Sequence, residues 1–353
     1  MRVLLVAAPL VARSGGYRTT YELVDAARAK GLDWSAVIGM RPGVPGAEHV
    51  PAHPFVDEGV LEAHGRRLVA EIVDALEARA AYREAEVVIT LIAQSDMALA
   101  RTRARGKTWV AYVRGLPWPD VGEQSRLRTA VHTLLEARAL RAAHEVWTTT
   151  EVLAEQVRRV REPVIVPPGI AEVPRRYDGG PGLSRVVWAA RLEVDKDPRL
   201  FLDTMAGLPD LPASMWGQGP LEADLRRAAP PNVTLEGWGD PARLWDDAQV
   251  FVSTSRREAF GRSAVEAALA GLPVVLPDTY GAARSLYAGS SLADQLVLTT
   301  RDPQRWQAAV RLLRDDADVR QEASDVVRRG AEALTIGRSV DQIQARLQHL
   351  RAS

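Results

Sequence analysis

The sequence predicts an α/β fold built as two doubly wound domains, and three observations carry that expectation. Short apolar runs alternate with stretches of helical periodicity in both halves, the pattern of parallel sheets covered on both faces. A chain of 353 residues exceeds one ordinary core and suffices for two. The strongest cluster of structure-breaking residues is Pro167-Pro168-Gly169 followed by Arg175-Arg176-Tyr177-Asp178-Gly179-Gly180-Pro181-Gly182. A boundary there gives domains over 1–172 and 173–336, with 337–353 expected to rejoin the first domain as a helix. Two domains imply a cleft, and 166–183 is the expected hinge for its closure.

In the first half, strands are expected at Val3–Ala8, Ala36–Gly39, Val87–Leu91, Trp109–Val113, Val146–Thr149 and Val164–Val166. Helices are expected between them at Thr19–Lys30, Leu61–Ala80, Met97–Arg105, Arg126–Ala143 and Val152–Arg159, where apolar residues recur at spacings of three and four. Second-half strands are expected at Arg185–Ala189, Ser214–Trp216, Val233–Leu235, Val250–Ser253, Val274–Leu276 and Leu296–Leu298. Gly261–Ala270 reads as a helix stopped by Gly271-Leu272-Pro273, and Val340–Leu350 as the last helix.

Composition excludes several classes. Forty-five basic and forty-five acidic residues cancel, so no bulk field favours nucleic acid or anionic lipid. Cysteine is absent, which removes disulfides, thiolate catalysis and thiolate metal sites. The apolar start Met1–Ala8 is cut off by Pro9, Arg13 and Gly15, short of a membrane span or an ordinary signal peptide. A cytoplasmic location and no integral membrane segment are therefore expected. The six histidines, at 49, 53, 64, 132, 144 and 349, show no paired spacing with acids that would bind a metal. His49 and His53 fall in a proline-rich loop, and no metal is expected. Arginine in place of lysine and abundant alanine fit a GC-rich bacterial genome.

Glu258 and Glu266 stand eight positions apart in Glu258-Ala-Phe-Gly-Arg-Ser-Ala-Val-Glu266. Glu258 falls in the loop after a strand and Glu266 about a turn and a half into the next helix, so a ligand over the helix start could touch both. The amides of Phe260, Gly261, Arg262 and Ser263 would point at the same place and favour an anion such as a diphosphate. A dipole partner and a solvated helix face would leave the same pattern. Arg191 and Lys196 share the loop after Val186-Val-Trp-Ala189 and could offset charge on a departing phosphate. The same cations could form a surface ion network with Glu193, Asp195 and Asp197. Gly217-Gln-Gly219-Pro220 and Gly237-Trp238-Gly239 follow two further strands, and their glycines allow backbone to approach a nucleotide closely. Four such loops converge on the carboxyl edge of a parallel sheet, where open α/β sheets bind ligands.

Over roughly Arg185–Pro277 these motifs, in order and spacing, resemble the retaining glycosyltransferases of family GT4, with the GT-B fold of two Rossmann-like domains facing each other across a cleft. The stretches concerned are Arg191 with Lys196, Gly217-Gln-Gly219-Pro220, Asn232-Val-Thr-Leu-Glu-Gly237, Glu258-Ala-Phe-Gly261 and Glu266-Ala-Ala-Leu-Ala-Gly271-Leu-Pro-Val274. In the first domain Gly15-Gly16, Val146-Trp-Thr-Thr-Thr150-Glu151 and Val164-Ile-Val-Pro-Pro-Gly169 are looser landmarks.

The resemblance implies an N-terminal acceptor-binding domain and a C-terminal domain that binds a nucleoside diphosphate sugar as co-substrate, UDP favoured and GDP possible, with no cofactor. Arg191 and Lys196 would hold the diphosphate leaving group, Glu258 the sugar hydroxyls and Glu266 the ribose. Amides of Phe260 and Gly261 would face the sugar, those of Arg262 and Ser263 the phosphate. Gly15 and Gly16 would meet the diphosphate, and the Gly237-Trp238-Gly239 loop would lie by the base. The acceptor would attack the face vacated by the diphosphate, whose oxygen takes its proton, so no separate base is needed; the alternative is double displacement through Glu258.

Two departures stand out. Tyr112-Val113-Arg114-Gly115 replaces a His-containing pair common in relatives, leaving Arg114 as a donor-sugar, acceptor or structural residue. Tyr280-Gly281-Ala-Ala-Arg284-Ser285 replaces the usual Gly-Gly-x-x-Glu, so sugar choice there is unreadable. The expected partners are a nucleotide sugar and a small soluble acceptor such as a natural product or cyclitol, with no nucleic acid. A lipid or glycan acceptor at a membrane is the alternative, to which the segment 126–141, rich in arginine and leucine, is relevant; its leucines also suit an ordinary core helix. A non-catalytic nucleotide-sugar binder is the third reading. Donor, acceptor and oligomeric state are not encoded in readable motifs; the side chains that choose them fall in 41–59 and 114–123.

Overall fold

The computed structural model describes residues 1–13, 15–44, 52–115, 126–177, 184–239 and 244–352. These divide into two units, Met1–Ala171 with Ile336–Ser353, and Glu172–Thr335. The glycine run 179–182 and His49 lie outside the described residues, as do parts of 41–59, 114–123 and 166–183.

The first unit runs β1 (Val3–Leu10), α1 (Gly15–Ala29), β2 (Trp34–Met40), β3 (Val56–Val60), α2 (Arg66–Glu77), α3 (Ala80–Glu84), β4 (Val87–Thr90), α4 (Ala93–Thr102), β5 (Thr108–Val113), α5 (Arg126–Ala142), β6 (Glu145–Thr148), α6 (Glu151–Val157) and β7 (Val164–Ile165). Its sheet is ordered β3-β2-β1-β4-β5-β6-β7, and every pairing is parallel. Alternation along β1 explains why both faces are covered. Val3, Leu5 and Ala7 pack with Leu23, Val24 and Ala27 of α1. Leu4, Val6 and Ala8 pack with Ile72 and Leu76 of α2 and with Leu99 of α4. Each such aliphatic side chain contributes roughly 1.5–3 kcal/mol by leaving water.

The second unit runs β8 (Val186–Ala189), α7 (Pro198–Ala206), β9 (Ala213–Trp216), α8 (Glu222–Ala228), β10 (Val233–Gly237), β11 (Val250–Val252), α9 (Arg262–Leu269), β12 (Val274–Pro277), α10 (Ala283–Leu286), α11 (Ala293–Leu296), β13 (Val297–Leu298), α12 (Pro303–Asp315) and α13 (Ala317–Glu332). The sheet order is β10-β9-β8-β11-β12-β13, again all parallel. The chain then returns to the first unit as α14 (Ile336–Ala352), whose Val340, Ile343 and Leu347 join the core beside α1.

Three expectations need correction. Val56–Val60 is an edge strand absent from the sequence reading, because Asp57, Glu58 and Gly59 mask it and an edge strand needs no continuous apolar run. The helix expected over Leu61–Ala80 begins only at Arg66 and breaks before Ala80; Leu61 instead donates its amide to the Met40 carbonyl, 2.9 Å away. In the other direction α1 starts at Gly15, four residues earlier than its apolar period indicates.

Candidate active site

In the second sheet the strand order reverses around β8, whose neighbours are β9 and β11. Loops after β8 and β11 therefore emerge side by side on the carboxyl edge, the position at which open parallel sheets admit a ligand. The β8 loop ends in a single 3₁₀ turn, Val194–Lys196, before Pro198 opens α7. The β11 loop carries Glu258. Lys196 Nζ lies 2.7 Å from Glu258 Oε2 and 3.2 Å from Asp195 Oδ2. Burial disfavours the Lys196 ammonium, but Glu258 and then Asp195 more than offset it and raise its pKa above the ordinary value. With the Lys196 side chain 12% exposed and Glu258 25%, the pair is shielded yet reachable.

Hydrogen bonds tie the two loops together behind that pair. The Thr254 hydroxyl donates to the carbonyls of Lys196 and Asp197 at 3.2 and 2.8 Å and accepts from Trp188 Nε1 at 3.0 Å. The Arg256 amide donates to the Asp195 carbonyl at 2.8 Å. On the other side the β8 loop rests on the loop after β9. A Cβ on Gly217, which has φ +139°, would overlap the Ala190 carbonyl oxygen, and one on Gly219 would meet the Leu192 backbone. The Leu192 amide donates to the Gln218 carbonyl at 3.0 Å. These glycines thus admit a close approach of one loop to the other.

Glu258 is held by the loop after β12. Its amide donates to the Thr279 carbonyl at 3.3 Å and its carbonyl accepts from the Gly281 amide at 2.9 Å. Gly261, at φ +92°, precedes α9 in a conformation that suits glycine, and a Cβ there would run into the Tyr280 ring. Burial, with Glu258 nearby, raises the Tyr280 phenol well above its ordinary pKa, and Ser253 and the Ala264 backbone hydrogen-bond it. Tyr280, which the sequence marks only as part of a departure from the usual motif, is thus a site residue; the signal for its place is the pair of glycines at 261 and 281, which lets two loops cross. Phe260 is buried, and Ala264, Ala267 and Ala268 press α9 onto the sheet with no exposure. Arg262 and Ser263 form its first turn. Glu266, one turn on, pairs with Arg262 at 3.2 Å.

Not every expected residue gathers with these. Arg191 is exposed and pairs with Glu193 at 2.7 Å. The Glu193 and Asp195 pairings that the sequence allows therefore exist alongside the Lys196–Glu258 pair. Gly237 ends β10 at φ +77°, Trp238 is 72% exposed, and a Cβ on Gly239 would meet the Trp216 ring. In the first unit Gly15 and Gly16 open α1, where their carbonyls accept from the Thr19 and Thr20 hydroxyls at 2.8 Å. Arg114 follows β5, half-buried, with its Cζ 5.7 Å from the centre of the Tyr112 ring.

Two buried acids of the first unit were also unforeseen. Asp96 at the start of α4 accepts from the Thr90 hydroxyl, and burial pushes its carboxyl up to about 7. Glu136 on α5 is pushed up to about 8 by burial and by the charge of Asp96. On the same helix Leu140 is a core residue as expected, but Val131, Leu134 and Leu135 are exposed. Among the described residues no helix is long and apolar enough to cross a membrane.

Residues 184–316 match the family described as glycosyl transferases group 1. No curated protein sequence matches the chain. Among solved structures, the fold is similar to sucrose-phosphate synthase from Thermosynechococcus elongatus, at TM-score 0.80 and 18% identity with 100% of each chain covered. It is similar to HepE from Anabaena, solved with UDP and glucose, at TM-score 0.75 and 18% identity over 99% of each chain. The pneumococcal O-GlcNAc transferase GtfA, solved with UDP and GlcNAc, aligns at TM-score 0.75 and 12% identity over 100% of this chain and 99% of its own. The chain has the GT-B fold. The segment that matches glycosyl transferases group 1 lies inside its second unit, and every residue of the Lys196–Glu258 site falls within that segment.

Proposed function

We propose that the protein is a nucleotide-sugar-dependent glycosyltransferase that moves a sugar, with retention of configuration, from a UDP sugar to a small soluble acceptor. The observation that carries this reading is the Lys196–Glu258 pair at the switch point of the second sheet, inside the segment matched to glycosyl transferases group 1. UDP is favoured over GDP because HepE and GtfA were solved with UDP.

In this reading the diphosphate takes the Lys196 ammonium as its counter-charge, and Arg191 swings from Glu193 onto a phosphate oxygen. Glu258 then accepts hydrogen bonds from the transferred sugar, and Glu266 from the ribose. The first-turn amides of α9 and the backbone at Phe260 and Gly261 face the phosphate and sugar. Trp238 lies by the base. Gly15, Gly16 and Arg114 are the first unit's contributions to donor or acceptor. As the bond to the anomeric carbon breaks, negative charge grows on the diphosphate, where a preorganised cation contributes most. The departing phosphate takes the acceptor's proton, so a positioned acceptor suffices without a basic side chain. Fixed cations supply the charge that a metal would, and the enzyme is proposed to work without one.

The test is incubation with UDP, GDP and dTDP sugars, with nucleotide release followed with and without candidate acceptors. Donor consumption that Lys196→Ala abolishes supports the reading. Tight donor binding with no donor consumed under any acceptor supports the non-catalytic binder instead.

A membrane-associated acceptor is the second reading. It is supported by Val131, Leu134 and Leu135, exposed on α5 at helical spacing beside Arg138. Sedimentation with anionic vesicles, lost in Leu134→Glu, would favour it over a soluble acceptor.

A further inference from the structure

We infer that Arg301 is a positioning residue for the site: it locks the backbone turn that presents Lys196. This rests on the donor-site reading above and adds a residue outside the motifs that support it.

Asp197 sits between Lys196 and Pro198 with φ +45° and ψ +53°. Left-handed backbone is costly for a residue with a Cβ, and a following proline favours extended backbone instead. Such a conformation persists only where its surroundings hold it. Arg301, in the loop after β13, provides the hold. Its Nη2 lies 2.6 Å from Asp197 Oδ2 and also donates to the Thr254 carbonyl, while Nη1 donates to the Ser255 carbonyl at 3.3 Å. One planar guanidinium thus spans the β8 and β11 loops, a geometry that the point charge of a lysine does not reproduce. Arg256 Nε adds a longer contact to the same carboxylate, 3.3 Å away. The Asp197 side chain is only 12% exposed. Lys196 is the next residue back along the chain, so the turn at 197 sets where its ammonium meets Glu258.

The turn and the clamp are therefore coupled. Losing Arg301 lets the β8 loop relax toward ordinary backbone and carries Lys196 away from the position in which it meets a diphosphate. Glycine at 197 removes the strain and with it much of the need for a clamp.

The experiment measures UDP affinity by calorimetry and donor kcat/KM for wild type, Arg301→Gln, Arg301→Lys and Lys196→Ala, and for Arg301→Gln combined with Asp197→Gly or Asp197→Ala. Arg301→Gln and Arg301→Lys are each expected to lower UDP affinity and donor kcat/KM tenfold or more, with acceptor KM unchanged. Adding Asp197→Gly to Arg301→Gln is expected to recover at least threefold, and adding Asp197→Ala to recover nothing. The inference is overturned if folded Arg301→Gln binds UDP and turns over as wild type, or if glycine and alanine at 197 act alike. A merely structural Arg301 would lower the melting temperature without this glycine-specific recovery. If Lys196→Ala itself leaves UDP binding and turnover unchanged, the donor-site reading fails and the inference falls with it.

Discussion

Lys196 donates to Glu258 across 2.7 Å, joining side chains 62 positions apart in sequence. Strand order brings the pair together by placing the β8 and β11 loops next to each other. Glu258 favours the charged form of Lys196, and the contact orients both side chains. Removing one is expected to cost about 1.5–3 kcal/mol of stability and, for Lys196→Ala, about 10²–10³ in kcat if the ammonium meets charge growing on the diphosphate. Glu258→Gln keeps the shape and loses the charge, so it should raise donor KM and lower kcat less than Glu258→Ala. Steady-state kinetics on the two variants checks this.

The glycines of the chain differ in what they accommodate, and substitution should show it. Gly217→Ala places a Cβ against the Ala190 carbonyl as well as at unfavourable φ, whereas Gly43→Ala, at φ +77° with open space around it, pays for φ alone. Thermal melts should show about 1–2 kcal/mol lost at Gly43 and distinctly more at Gly217, with weakened UDP binding only at the latter.

Stability should fall as pH rises through neutrality. Folding raises Asp96 to about 7 and Glu136 to about 8, so above roughly pH 4 the unfolded chain gives up protons that the folded chain retains. Up to about 1.4 kcal/mol per pH unit per carboxyl is lost until the folded values are passed, and the dependence then flattens. Asp96→Asn removes one titrating group and relieves the charge pressure on Glu136. Its melting temperature should decline less than the wild type's between pH 5 and pH 8; parallel declines would contradict the assignment.

Trp238 is exposed on the loop after β10, at the carboxyl edge of the sheet. If it flanks the base, Trp238→Ala should raise the Kd for UDP about 3–10-fold, the contribution of one aromatic contact, with the melting temperature nearly unchanged.

Chelation separates metal-free catalysis from the alternative. Activity in excess EDTA is expected to match the untreated enzyme; loss in EDTA restored by magnesium would show that Lys196 and Arg191 are not the only counter-charges.

The parallel sheets were legible because buried strands such as Val3–Leu10 and Val250–Val252 read as apolar runs, and a parallel sheet hides both faces. The Val56–Val60 edge strand was not, since a half-exposed strand with Asp57 and Glu58 carries no such run. Lys196 and Glu258 could be named from loop position, but their contact depends on sheet order. The parts played by Asp197, Tyr280 and Arg301 were not legible for a related reason. Their roles come from backbone conformation and from contacts between loops far apart in sequence, and neither property belongs to a residue type or a short spacing.

The most direct measurement is UDP release from a UDP sugar by wild type and by Lys196→Ala under identical conditions. Acceptor-stimulated release by the wild type is expected, with a loss of about a hundredfold or more in the variant. Equal release by both proteins, or none by the wild type across the donor panel despite tight binding, would contradict sugar transfer assisted by Lys196.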